Sequence, residues 1–86
     1  MFRFLILVDI EVPSNGQKYD FRLDENAYIA ELIDEIGAMM IPSSDVKARE
    51  KIESMLLCDY EHQRILPLDS TLKHCGVKSG ARLVFL

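Results

Sequence analysis

Four side chains in this sequence have the chemistry to bind a soft metal or to attack an electrophile: Cys58, His62, His74 and Cys75. Cys58 and His62 are four residues apart, and His74 and Cys75 are adjacent. Zinc sites place each pair of ligands on a knuckle or on one helical face, and two adjacent side chains have difficulty reaching one ion. A cysteine nucleophile needs a base and an oxyanion site within reach, and adjacency of His74 and Cys75 in sequence supplies neither. A [2Fe–2S] centre normally takes four cysteines, and the chain has two. Free cysteine packs as a small hydrophobe, so Cys58 is expected in a strand core and Cys75 in a buried helical turn. The paired acids Asp34 and Glu35 fall on the outer side of a helix as solvating charge. No catalytic residue, metal site or cofactor is expected, and the chain does not read as an enzyme.

Bulk properties narrow the class. The 86 residues suit a single domain spanning 1–86. A chain of this length buries only roughly 60–65% of the surface it exposes when unfolded. It needs a well-patterned core, which 49% hydrophobic residues can supply. Two cysteines build no secreted-type disulfide framework, and a single bridge between them is left open without a signal for it. The run Phe4 to Val8 is too short for a signal-peptide core, and nothing approaches the ~20 apolar residues of a membrane helix. A cytoplasmic protein without membrane insertion is expected. Nucleic-acid binding requires clustered Lys and Arg. The net charge here is −4, and the one basic concentration, Lys47, Arg49 and Lys51, is interleaved with Glu50 and Glu53.

The patterning then orders the elements. Residues alternate from Phe2 to Val12, with Phe4, Ile6, Val8, Ile10 and Val12 on one side and Leu5, Leu7, Asp9 and Glu11 on the other. That period of two predicts a strand. Pro13 to Gly16 contains Asn-Gly, a strong hairpin signal. Alternation resumes over Lys18 to Leu23, with Tyr19, Phe21 and Leu23 inward. Ile29, Leu32, Ile33 and Ile36 share one helical stripe, which predicts a helix from about Ala27 to Met40 with Asn26 as N-cap. Residues 41–53 are read as a short helix capped by Ser43 or Ser44, the alternative being a loop crossing the sheet. Strands follow at Ser54 to Cys58 and Arg64 to Leu66. A single helical turn, Thr71 to Cys75, has Asp69 or Ser70 as cap, and Gly76 supplies its left-handed exit. The last strand, Arg82 to Leu86, turns Leu83 and Phe85 inward. A helix after a hairpin and before returning strands covers one face of a mixed sheet whose first and last strands pair in parallel. The fold class is therefore α+β: a β-grasp roll of four to five strands on one main helix.

With the elements in place, "RILPLDSTLKHCGVKSGARLVFL" resembles the ubiquitin-family run in which a Thr-Leu pair opens the helical turn. Within that fold, "LKHCGVKSGARLVFL" is similar to the small bacterial YukD/EsaB proteins, cytosolic accessories of the Gram-positive type VII (WXG-type) secretion machinery. The charged 41–53 segment and the long "DYEHQR" connection depart from that pattern. The resemblance implies a protein-interaction module whose partner is a cytosolic part of the secretion channel or its ATPase. Ubiquitin-type modifiers and sulfur carriers use a flexible Gly-Gly end. Here the sequence ends "RLVFL" with no internal Gly-Gly, so neither conjugation nor sulfur transfer is expected. The alternative is a small β-grasp subunit of an enzyme complex, either an oxygenase component or a degenerate sulfur carrier.

Function is then expected on the surface. By strand parity, Leu5, Leu7, Val84 and Leu86 point away from the helix, joined by Leu57 if Asp59 faces solvent. Contiguous exposed apolar patches mark interfaces, and ubiquitin uses this face for recognition. These five residues are the candidate partner-binding set, for a protein partner or for a homodimer through the open sheet face.

Overall fold

In the computed structural model, which describes residues 4–86, the alternating N-terminal segment forms β1 (Leu5–Val12), antiparallel to β2 (Gln17–Asp24). Phe2 and Arg3, part of the expected strand, lie outside the described residues. The connecting turn spans four residues. The amides of Asn15 and Gly16 both donate to the Val12 carbonyl, and Asn15 Oδ1 accepts the Gln17 N–H at 2.9 Å. Of the Asn-Gly pair, only Gly16 is left-handed, at φ 68°, where glycine carries no Cβ penalty.

The main helix, α1, runs Ile29–Met40, two residues shorter at its start than expected, and Asn26 does not cap it. Tyr28 is held extended by a bridge to Thr71. The first helical amides, those of Ile29 and Ala30, donate instead to the carbonyls of Ser70 and Leu68. A distant loop thus satisfies donors that a local cap usually serves. Residues 41–53 do contain a short helix, α2 (Val46–Glu50), whose cap is Asp45 rather than Ser43 or Ser44. Arg49 of α2 reaches back to the carbonyls of Ala38 and Ile41, at 3.2 and 3.1 Å. It places a cation on the negative end of α1.

A 3₁₀ turn, Ile52–Ser54, then seats Ile52 against Gly37, so the segment packs beside α1. A Cβ on Gly37 would approach three Ile52 side-chain atoms at 2.9 Å. Overpacking costs typically about 1–3 kcal/mol, more than the ~1 kcal/mol that alanine gains over glycine in a helix. Gly37→Ala is therefore expected to destabilise the protein, yet to stabilise it in an Ile52→Ala background. Urea titration of the double-mutant cycle reads that change of sign.

Three further strands, β3 (Leu57–Asp59), β4 (Arg64–Ile65) and β5 (Arg82–Phe85), complete a sheet of order β2-β1-β5-β3-β4. Among the described residues only β1 and β5 pair in parallel. This is the expected β-grasp. The helical turn before Gly76 is capped by Thr71, whose Oγ1 accepts the His74 N–H at 3.0 Å, not by Asp69 or Ser70. Val8, Ile10, Val12, Leu23, Leu83 and Phe85 meet the α1 stripe in the core.

Two assignments of facing are corrected. Leu57 is fully buried and Asp59 is 3% exposed, so β3 has the opposite parity to the one expected. Leu57 cannot belong to the open face, and Cys58, half-buried, takes that side rather than the core. The cause is Asp59, a carboxylate that turns inward because it finds partners there. Phe4 is exposed at 62%, because β5 pairs β1 only from Asp9 to Glu11 and leaves the start of the strand uncovered.

Candidate functional site

On the outer face, strand register decides which side chains are neighbours. Val84 pairs with Glu11 on one side and with Cys58 on the other, and Cys58 pairs with Ile65. Leu86 and Leu56 exchange two backbone hydrogen bonds, at 2.8 and 2.9 Å. Leu56, Cys58, Ile65, Val84 and Leu86 therefore form one apolar cluster, and a shallow depression runs across it between Tyr60 and Arg64. Ile65 and Leu86 are each more than half exposed.

Leu5 and Leu7 do not join this cluster. Leu7 lies level with Gly80, whose amide donates to the Leu7 carbonyl at 2.7 Å, whereas Val84 lies level with Glu11. Four residues of strand separate the two levels, about 13 Å at ~3.3 Å per residue. The row between them is polar: Asp9 is beside Arg82, and the Arg82 guanidinium lies 5.1 Å from the centre of the Tyr60 ring. Of the five residues expected as one patch, two lie at one end, two at the other, and Leu57 is inside. The sequence reading missed Leu56, Cys58 and Ile65. Ile65, an aliphatic residue after the polar run "DYEHQR", was the available signal.

The residues first weighed as chemistry are dispersed. Burial raises the Cys58 thiol above its usual range, which disfavours the thiolate that nucleophilic attack requires. Cys75 is half-buried, with its Sγ 3.4 Å from Ser70 Oγ, while His74 is exposed. Both thiols are free. His62 is bound to Asp59, Nδ1 to Oδ2 at 2.7 Å. Among the described residues no three His, Cys, Asp or Glu side chains converge as metal ligands, and no helix is long and apolar enough to cross a membrane.

Asp59 anchors the rim of the apolar cluster. Its carboxylate accepts from His62 through both ring and backbone and lies 3.5 Å from Arg64 Nη2, which also donates to the Cys75 carbonyl. Burial alone would raise the Asp59 carboxyl. The His62 hydrogen bonds and the charges of His62 and Arg64 outweigh it and hold the group below the ordinary carboxylate range. The 59–64 connection is thus a tight turn closed from within, with Gln63 left-handed at φ 48°.

Comparison with known proteins agrees with this architecture. Residues 6–85 match the family described as "WXG100 protein secretion system (Wss), protein YukD". Among solved structures, ubiquitin from Caldiarchaeum subterraneum superposes with a TM-score of 0.71 at 19% identity, over 95% of this chain and 91% of that one. The ubiquitin-like domain of Plasmodium falciparum Dsk2 gives 0.68 at 17%, over 96% and 100%. A ubiquitin-like domain of an Arabidopsis thaliana protein gives 0.70 at 20%, over 95% and 76%. At such identities the likeness is one of fold. No curated protein matches the sequence.

Proposed function

The chain belongs to the YukD family of the WXG100 secretion system, and from that membership we propose that it is a cytoplasmic accessory of a type VII machine that works by binding, not catalysis. Its partner is a protein, a cytosolic part of the channel or of its ATPase. The docking surface is the outer-face cluster around Val84. The observation that carries this reading is the register that gathers Leu56, Cys58, Ile65, Val84 and Leu86 on the side of the sheet away from α1. Apolar side chains clustered there gain nothing from the core, and contiguous apolar patches mark interaction sites.

Capture of the cytosolic secretion components by immobilised protein tests it. Ile65→Asp and Leu86→Asp change half-exposed positions, so the fold persists, as near-wild-type circular dichroism would show. Each is expected to weaken capture at least about tenfold, the size of a single interface anchor. Leu7→Asp, on the separate cluster, is expected to leave capture unchanged. Folded Ile65→Asp and Leu86→Asp proteins that bind as well as wild type would sink the proposal. Co-purification with an activating enzyme or an oxygenase subunit instead would favour the enzyme-associated alternative.

A further inference from the structure

Strand β2 is the long edge of the sheet, eight residues paired with β1 alone among the described strands. The backbone of Glu25 donates to the Phe4 carbonyl at 3.0 Å, one step beyond the Leu5–Asp24 pair. In an antiparallel ladder, bonded and non-bonded residues alternate. Odd-numbered β2 residues therefore bond to β1, and Lys18, Asp20 and Arg22 direct their N–H and C=O groups to the open edge. The Asp24 carbonyl is already taken by the Ala27 amide. The side chains of Lys18, Asp20, Arg22 and Asp24 stand on the outer face with charges that alternate plus, minus, plus, minus.

That order is self-complementary. If a second copy of β2 approaches antiparallel with the two-fold axis at Phe21, Asp20 lies opposite Arg22 of the copy and Lys18 opposite its Asp24. On the inner side Phe21 meets Phe21, and half-buried Tyr19 meets Leu23. A slip of two residues one way sets Asp20 against Asp20 and Lys18 against Arg22. A slip the other way sets Arg22 against Arg22 and Asp20 against Asp24. A slip of one residue exchanges the faces. Directly opposed like charges are destabilising and unlike ones stabilising, so these slips are disfavoured, and the register about Phe21 sets all four charges of each strand against unlike ones. Within its own chain Asp20 stands opposite Asp9. Among the described residues neither Asp20 nor Arg22 has an ion-pair partner. Arg22 of a second copy would supply the missing cation.

We propose that β2 is a self-pairing edge, through which two copies of the chain join antiparallel about Phe21 into one continuous sheet. An edge strand left open in a native protein is a template for another chain, and here the charge order names that chain as a second copy. The inference goes beyond the docking reading and uses none of its residues.

Sedimentation equilibrium across a concentration series tests it. Wild type is expected to dimerise, more weakly at high salt. Asp20→Arg and Arg22→Asp each place like charges at both symmetry-related contacts and are expected to raise the dimer dissociation constant at least about tenfold. Both positions are exposed, and unchanged circular dichroism shows that the variants fold. Mixing the two variants aligns two arginines of one chain with two aspartates of the other and is expected to restore dimers, which a heterologous partner site would not do. A wild type that stays monomeric to its solubility limit, an Asp20→Arg dimer as tight as wild type, or a mixture that does not reassociate would each overturn the proposal. So would a dimer broken by Ile65→Asp but not by Asp20→Arg, which moves self-association to the outer face.

Discussion

Leu83→Ala is expected to lower the unfolding free energy by about 2–5 kcal/mol, a large share of the about 5–15 kcal/mol that holds a domain together. Leu83 is fully buried on β5, paired with Ile10 of β1 and with Asp59 of β3. Its truncation opens a cavity where three strands meet under α1, and backbones bonded on both sides cannot collapse into it. In urea the midpoint should fall while the slope with denaturant stays constant. Val84→Ala, one residue on and facing outward, is the control and is expected to cost less than about 1 kcal/mol. Equal losses at the two positions would contradict the facing of β5.

Asp59→Ala is expected to cost about 1–3 kcal/mol, the usual loss when a buried hydrogen-bonded polar group is removed from its partners. His62 and Arg64 are both well exposed and rehydrate, which keeps the loss within that range. The pH dependence has a definite sign. The folded-state pKa of Asp59 lies below that of an unfolded aspartate, ~3.9, so its contribution is complete above that value. It is lost as pH falls through the depressed folded value. Wild type should therefore lose stability below about pH 4 more steeply than Asp59→Asn, measured by thermal unfolding at matched ionic strength. Parallel curves for the two proteins would show that the carboxylate does not titrate in the way the geometry requires.

The hairpin, the α1 stripe and the facing of β5 were legible because each rests on a simple period, two or 3.6, carried by unambiguous apolar residues. The facing of β3 was not, because Asp59 breaks the rule that charge faces water. Only the fold shows that His62 and Arg64 converge on it. The start of α1 was misplaced for a related reason. Asn26 has the chemistry of a cap, but Tyr28 is held extended by Thr71, and carbonyls forty residues away serve the helix instead. The candidate site was half legible. Parity correctly turned Leu5, Leu7, Val84 and Leu86 outward, but contiguity depends on register. In a parallel pair the register is set by the intervening crossover and not by the pattern of either strand. Placing Arg82 beside Asp9 divides the outer leucines into two clusters.

The parallel pairing of β1 with β5 also governs when the protein can exist at all. About seventy residues separate Val12 from Arg82, and at ~5–20 residues per second a ribosome takes several seconds to make them. By the end of that interval the hairpin, α1 and β3 are synthesised, yet the strand that belongs between β1 and β3 has not been made. The inward faces of Val8, Ile10 and Leu57 wait for β5, which is made after the other four strands. Interruption of synthesis before Arg82 therefore leaves a fragment with its apolar interior open to aggregation.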